Sequence, residues 1–257
     1  MNKQLEAFDR LLKIMNELRE KCPWDRKQTM ESLRNLTIEE TYELADSILD
    51  EDLPEIKKEL GDLLLHIVFY AKIAEEKQAF DITEVIHSLC DKLVDRHPHV
   101  FGDTQVQDHR QVEENWEEIK RREGKRSILS GVPNSLPALI KSNRIQQKVR
   151  GVGFDWERKE QIWDKVREEL DELQQEVQHE EQDQIEAEFG DLLFSVINAA
   201  RLYDVDPENA LERTNRKFIR RFRYLEEQTL HKGRSLKDMS LDQMNVIWEE
   251  AKKTDGS

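Results

Sequence analysis

The chain has 257 residues, enough for one large domain or two small ones, each able to bury a real core. Asp and Glu outnumber Lys and Arg by 55 to 40, a formal charge of −15. That surplus argues against a non-specific nucleic-acid binder and against an anionic membrane surface as partner, because both would be repelled. Only 9 Gly and 6 Pro are present, about half the usual share. With abundant Glu, Leu, Lys and Gln, this argues for a largely helical fold and against an all-β one.

The first six residues, Met1 to Glu6, carry no apolar signal-peptide core. No apolar run approaches the ~18 residues that cross a bilayer. Cys22 and Cys90 read as free thiols in a reducing compartment, so a cytoplasmic location is expected. Cys-x-x-Cys is absent, which argues against a thiolate zinc site.

Leu5, Phe8, Leu11, Leu12, Met15 and Leu18 recur at helical spacing and predict a first amphipathic helix. Pro23, within Lys21-Cys22-Pro23-Trp24-Asp25, ends it. Helical patterns resume over 36–50, 53–77, 81–96 and 109–122. Residues 127–135, rich in Gly, Pro, Asn and Ser, are the expected linker between an N-terminal domain, 1–126, and a C-terminal domain, 136–257. Further helices are expected over 136–149, 158–180, 184–203, 207–230 and 240–253, with no convincing strand.

The two halves repeat. Glu39-Glu40-Thr41-Tyr42-Glu43 matches Glu168-Glu169-Leu170-Asp171-Glu172, and Glu59-Leu60-Gly61-Asp62-Leu63-Leu64 matches Glu188-Phe189-Gly190-Asp191-Leu192-Leu193, all at one offset of 129. Lys92 and Arg96 correspond to Lys217 and Arg221, and Trp116 to Trp248, at other offsets but in the same order. The chain therefore reads as two copies of one helical unit of about 120 residues.

The shared core is Glu-x₂-Glu-x₁₅-Glu-x₂-Asp. Residues three apart share a helix face, so Glu169 and Glu172 form one carboxylate pair and Glu188 and Asp191 another. Glu40, Glu43, Glu59 and Asp62 form the same set in the first half. The spacing allows a helix, a turn and an antiparallel return that aims four carboxylates at one point. Each close like-charge pair costs about 1 kcal/mol in water and about 4 at an effective dielectric of 20. A hard divalent cation, Mg²⁺ or Mn²⁺, relieves that repulsion through oxygen ligands.

The helices that follow, Leu63–Phe69 and Leu192–Ile197, are apolar on most faces and are expected to be buried. Gly61 and Gly190 cost about 1 kcal/mol each against Ala, which a close approach of another backbone or a ligand would explain. A solvated face is the plainer explanation for either acidic set alone, but doubling makes it a poor one. Thr37-x-x-Glu40 fits a capping box, yet Val166 stands where Thr37 does and Glu169 is kept. Glu84-x-x-His87 and Glu176-x-x-His179 mimic di-iron ligands, but they lie out of register with the repeat and read as coincidence.

With these residues in view, the sequence resembles the MazG family of nucleoside triphosphate pyrophosphohydrolases over nearly its whole length. Cys22-Pro23-Trp24-Asp25, Arg96-His97-Pro98-His99-Val100-Phe101 and Val152-Gly153-Phe154-Asp155-Trp156 add to the likeness. The resemblance implies an all-α fold of tandem four-helix-bundle-like units that dimerise, with Mg²⁺-dependent cleavage of NTP to NMP and pyrophosphate. It also places Lys217 and Arg221 at the phosphates and Trp248 at the base or as a site-closing residue. Glu168 is the candidate for holding or activating the water. Without the family, Lys217 and Arg221 read equally well as a solvated face and Trp248 as packing.

The second half is expected to dominate. Its basic helix carries Arg213, Arg216, Lys217, Arg220, Arg221 and Arg223. Seven residues after Asp191, on the same face, Asn198 offers a polar contact to substrate where the first copy has Phe69. The first half is left to bind metal, to act on another nucleotide or to build the dimer. Two alternatives stay open: a non-enzymatic helical dimer that binds a nucleotide or protein, and a pyrophosphatase restricted to deoxynucleotides.

Overall fold

The computed structural model describes residues 2–106, 111–112, 115–116, 119, 127–179, 181–231 and 235–254. Among these there is no strand, and the chain divides into two compact units, Met1–Gln105 and Val106–Ser257. Most of the helix expected over 109–122 lies outside the described residues. The expected linker contains a single 3₁₀ turn, Ile128–Gly131, capped by the Ser127 side chain.

In the first unit, α1 (Lys3–Lys21), α2 (Met30–Leu49), α3 (Leu53–Glu76), α4 (Ile82–Arg96) and the one-turn α5 (Pro98–Phe101) follow in order. The chain marks each start. Asn2 caps α1, and Asp52 with Pro54 opens α3. Asp81 and Glu84 form a reciprocal capping box on α4, so Glu84 serves the helix end. The expected start of α2 at residue 36 is corrected, and Thr37 does not cap it. α2 begins a full turn and more earlier, where Thr29 and Ser32 cap each other. Thr37 is interior, its hydroxyl on the Leu33 carbonyl and 2.7 Å from the Tyr70 hydroxyl.

α2 and α3 pack as a hairpin across a turn at 50–52, where Glu51 adopts φ 56°. α1 and α4 lie against α3. Met15, Leu33, Val68, Phe69 and Ile73 form the core, flanked by Phe8, Leu11, Leu12 and Ile82. Arg19 pins the Cys22–Gln28 segment to this core. It donates to the Asp25 and Gln28 carbonyls, pairs with Glu76 and lies 5.4 Å from the Phe69 ring centre.

In the second unit, α6 (Ala138–Arg150), α7 (Ile162–His179), α8 (Gln182–Leu202), α9 (Pro207–His231) and α10 (Leu241–Thr254) repeat the plan. α7 and α8 form the matching hairpin, and α8 starts at the position of α3 shifted by 129. α6 packs on α8, and α9 touches α6, α8 and α10. Ile162, Leu173, Ile197, Ala199, Leu225 and Ile247 are buried.

The expectation that α3 and α8 are buried on most faces is overturned for one face of each. Leu60, Leu64 and Ile67 are exposed on α3, and Phe189, Leu193 and Val196 on α8, with Leu193 at 60%. The apolar pattern is real, but each unit has helices enough to cover only part of it. Nor does any backbone close on Gly61 or Gly190 within its own unit: a Cβ built at either would meet nothing within 4 Å.

Candidate metal centre and active site

The hairpins bring the paired acids together. In the second unit, carboxylate oxygens of Glu169, Glu172 and Glu188 lie within 4.8 Å of one another. In the first, Glu40, Glu43 and Glu59 do the same. Each set draws two residues from the outgoing helix and one from the returning helix. Asp191 is exposed, one turn after Glu188, and stands outside the close set. Asp62 also stands outside it, near enough to Glu40 for its charge to be felt.

The donor set suits a hard cation. It is all carboxylate, and both Glu188 Oε2 and Glu59 Oε2 are buried with no hydrogen-bond partner. A buried lone pair without a donor is costly, and a divalent ion supplies what it lacks. Charge repulsion is visible in the ionisation. Burial, then the charge of Glu169, pushes the Glu172 carboxyl above its ordinary value against the pull of Lys165. Burial, then Asp62 and Glu43, raises Glu40.

Sequence reasoning missed two lysines. Lys165 reaches Glu168 at 2.9 Å and Glu169 at 2.8 Å. Lys58 reaches Glu55 at 2.5 Å and Glu59 at 2.8 Å, and its hydrogen bond holds the Glu59 carboxyl below its ordinary value. The spacings i,i+3 and i,i+4 from Lys165 to the two glutamates were the available signal. The two ammonium groups come from different arms of their hairpins, so the repeat itself did not flag them. Glu168, the candidate for the water, is exposed and paired with Lys165.

Lys217 is exposed on α9 and Arg221 is half-buried there. Arg221 lines a groove of about 430 Å³ with Arg216, Arg220, Arg223 and Tyr224. Trp248, on α10, is half-buried with its ring centre 5.0 Å from that of Phe218, which stacks in turn on Phe222. Asn198 is half-buried on α8, and its Oδ1 accepts two hydrogen bonds from Arg201.

Comparison with known proteins identifies the family. The family model for the MazG nucleotide pyrophosphohydrolase domain matches twice, over residues 28–101 and 157–225. The nucleoside triphosphate pyrophosphohydrolase/pyrophosphatase MazG of Thermotoga maritima is 45% identical over 96% of both chains. The nucleoside triphosphate pyrophosphohydrolase of Escherichia coli K12 is 41% identical, covering 97% of this chain and 98% of its own. The chain belongs to the MazG nucleotide pyrophosphohydrolase family. A solved mazG-related protein from Thermotoga maritima aligns with 44% of this chain and 98% of its own at 28% identity, with a TM-score of 0.40.

The first family match spans α2 to α5, and the second spans α7, α8 and most of α9. Each contains one hairpin and its carboxylates. Membership makes the chain an enzyme, a hydrolase, and closes the non-enzymatic alternative.

Proposed function

We propose that this nucleoside triphosphate pyrophosphohydrolase works mainly at the second-unit cluster, with Mg²⁺ as its natural ion and Mn²⁺ as a substitute. The three-carboxylate set with the orphaned Glu188 Oε2 supports the metal assignment, and the choice of the second unit rests on the basic groove of α9 and on polar Asn198, where the first unit has buried Phe69. Glu169, Glu172 and Glu188 would hold the ion, with Asp191, one turn further along α8, as the fourth carboxylate. When bound, the ion would supply positive charge against the triphosphate and would make a water more acidic.

The chain's own groups do the rest. Glu168, paired with Lys165 at 2.9 Å, would accept the proton of the attacking water. Water oxygen bonds to the α-phosphorus, the α–β bridging bond breaks, and pyrophosphate leaves. Lys217 and Arg221 offset the charge of the phosphates. Trp248, with Phe218 beside it, offers a face to the base. Stacking accepts every base, which fits broad NTP use and a role in clearing unwanted nucleotides from the pool.

We assign the exposed stripes on α3 and α8 to a second copy of the chain. The same three register positions are apolar and uncovered in both units, and Gly61 and Gly190 leave room beside them for an incoming helix. The free thiols of Cys22 and Cys90 fit a reducing cytoplasm. No helix among the described residues is long and apolar enough to cross a membrane.

Metal removal tests the core of this reading. Stripping divalent ions with a chelator is expected to lower pyrophosphate release from ATP, GTP, CTP and UTP at least about 10³-fold, with Mg²⁺ or Mn²⁺ restoring all four. Undiminished turnover in the chelator would contradict it.

A further inference from the structure

Asn198 is held in one orientation by its neighbours. Arg201, with a side chain only 6% exposed, donates to Asn198 Oδ1 from Nε at 3.0 Å and from Nη2 at 2.7 Å. The same guanidinium meets Asp155, at 2.5 Å to Oδ1 and 3.1 Å to Oδ2. Asp155 is itself fixed. Its Oδ1 accepts from the Trp156 N–H at 3.0 Å, and Arg150 stands 3.8 Å from Oδ2. Gly153, at φ +85°, turns the chain so that this loop can reach α8. Burial raises the Asp155 carboxyl, but the bonds from Arg201 and Trp156 outweigh it and leave the group below its ordinary value.

The chemistry of the amide then decides its role. A guanidinium has only donors, so the atom facing it must be the carbonyl oxygen. Both lone pairs of Oδ1 are taken. What Asn198 has left is its NH₂, which meets no partner among the described residues. It can donate and cannot accept.

Its place along α8 indicates the recipient. Asn198 follows Asp191 by seven residues, about two turns, on the same face and about 10 Å further along the axis. It follows Glu188 by ten, about 15 Å. With phosphates held at the carboxylates, a nucleoside that extends along α8 toward its C-terminal end would reach Asn198.

We propose that the Asp155–Arg201 pair positions Asn198 to donate its amide hydrogens to an acceptor atom on the nucleoside of the substrate. The acceptor is a sugar oxygen or a base carbonyl or ring nitrogen. Arg201 and Asp155 are positioning residues, since they act through Asn198. This gives a function to the Val152–Trp156 motif, and it rests on the second-unit cluster being the reaction site.

The first unit is the internal contrast. Phe69 holds the register position of Asn198 and is 2% exposed, within the core. Lys72 holds that of Arg201 and pairs with Glu75. Arg19 lies over the Phe69 ring from α1, and there the guanidinium meets a phenyl with no hydrogen to donate to substrate.

The decisive variant is Asn198→Asp. A carboxylate keeps both bonds from Arg201, so the fold is retained, while the donor is lost. KM for ATP is expected to rise about tenfold or more with kcat within about threefold, the scale of one lost hydrogen bond. The inhibition constant of inorganic tripolyphosphate, which has no nucleoside, stays unchanged. Asp155→Asn moves KM in the same direction by less. An unmoved KM in Asn198→Asp overturns the proposal. So does a parallel weakening of tripolyphosphate, which places the residue at the phosphates. Turnover of Glu172→Gln, measured alongside, reports separately on whether the second-unit cluster is the reaction site.

Discussion

Glu172→Gln is expected to lower kcat/KM for NTP cleavage at least about 10³-fold, while Glu43→Gln, its counterpart in the first unit, keeps most of the activity. A neutral amide still fills the space, so the loss reports on charge. A thousandfold corresponds to about 4 kcal/mol of transition-state stabilisation, within what a catalytic metal supplies. The two acidic sets are alike in geometry, each with three close carboxylates and an orphaned buried oxygen. Their difference lies in the rest of each unit. The second has a basic groove on α9 and the polar Asn198 on α8, where the first has buried Phe69. Pyrophosphate release by each variant, with thermal melts to confirm folding, checks this. Equal losses would mean that both sites carry the reaction.

Leu193→Asp is expected to dissociate the chain into single copies. Phe189, Leu193 and Val196 are exposed on one face of α8, and burying each would contribute about 1.5–3 kcal/mol. In a twofold dimer the change appears twice. Replacing leucine by a carboxylate on both copies costs on the order of 6 kcal/mol, which weakens association about 10⁴-fold. Since Leu193 is 60% exposed in its own unit, the variant should melt close to the parent apart from the loss of association. Sedimentation equilibrium across a concentration series reads the outcome. A parent chain that is a single copy at tens of micromolar would exclude a second copy as the cover of these stripes.

The helices were legible because their signals are local. Apolar periodicity and few turn formers placed α3, α4 and α8 within a few residues. The expected start at 36 missed the first residues of α2, Met30 to Asn35. The genuine cap at Thr29 uses Ser32, which the glutamate rule does not seek. The paired acids were legible because the repeat doubles them at one offset. Lys165 and Lys58 were not, since each sits on a different arm of its hairpin and has no counterpart at the repeat offset. Arg201 and Asp155 were invisible as a pair because 46 residues separate them. Only the packing of the loop against α8 joins them. The apolar run after Asp191 was read as burial. A sequence pattern shows that a face wants cover, but not whether its own unit provides it.

The central claim is that Glu169, Glu172 and Glu188 hold the ion at which the triphosphate is cleaved. A crystal structure grown with Mn²⁺ and an α,β-methylene nucleoside triphosphate tests it most directly, through the anomalous signal of the metal. A peak is expected within about 2.2 Å of oxygens from all three glutamates, with the nucleoside lying toward Asn198. A nucleotide-bearing peak at Glu40, Glu43 and Glu59, with the second-unit carboxylates still closed on Lys165, would contradict it.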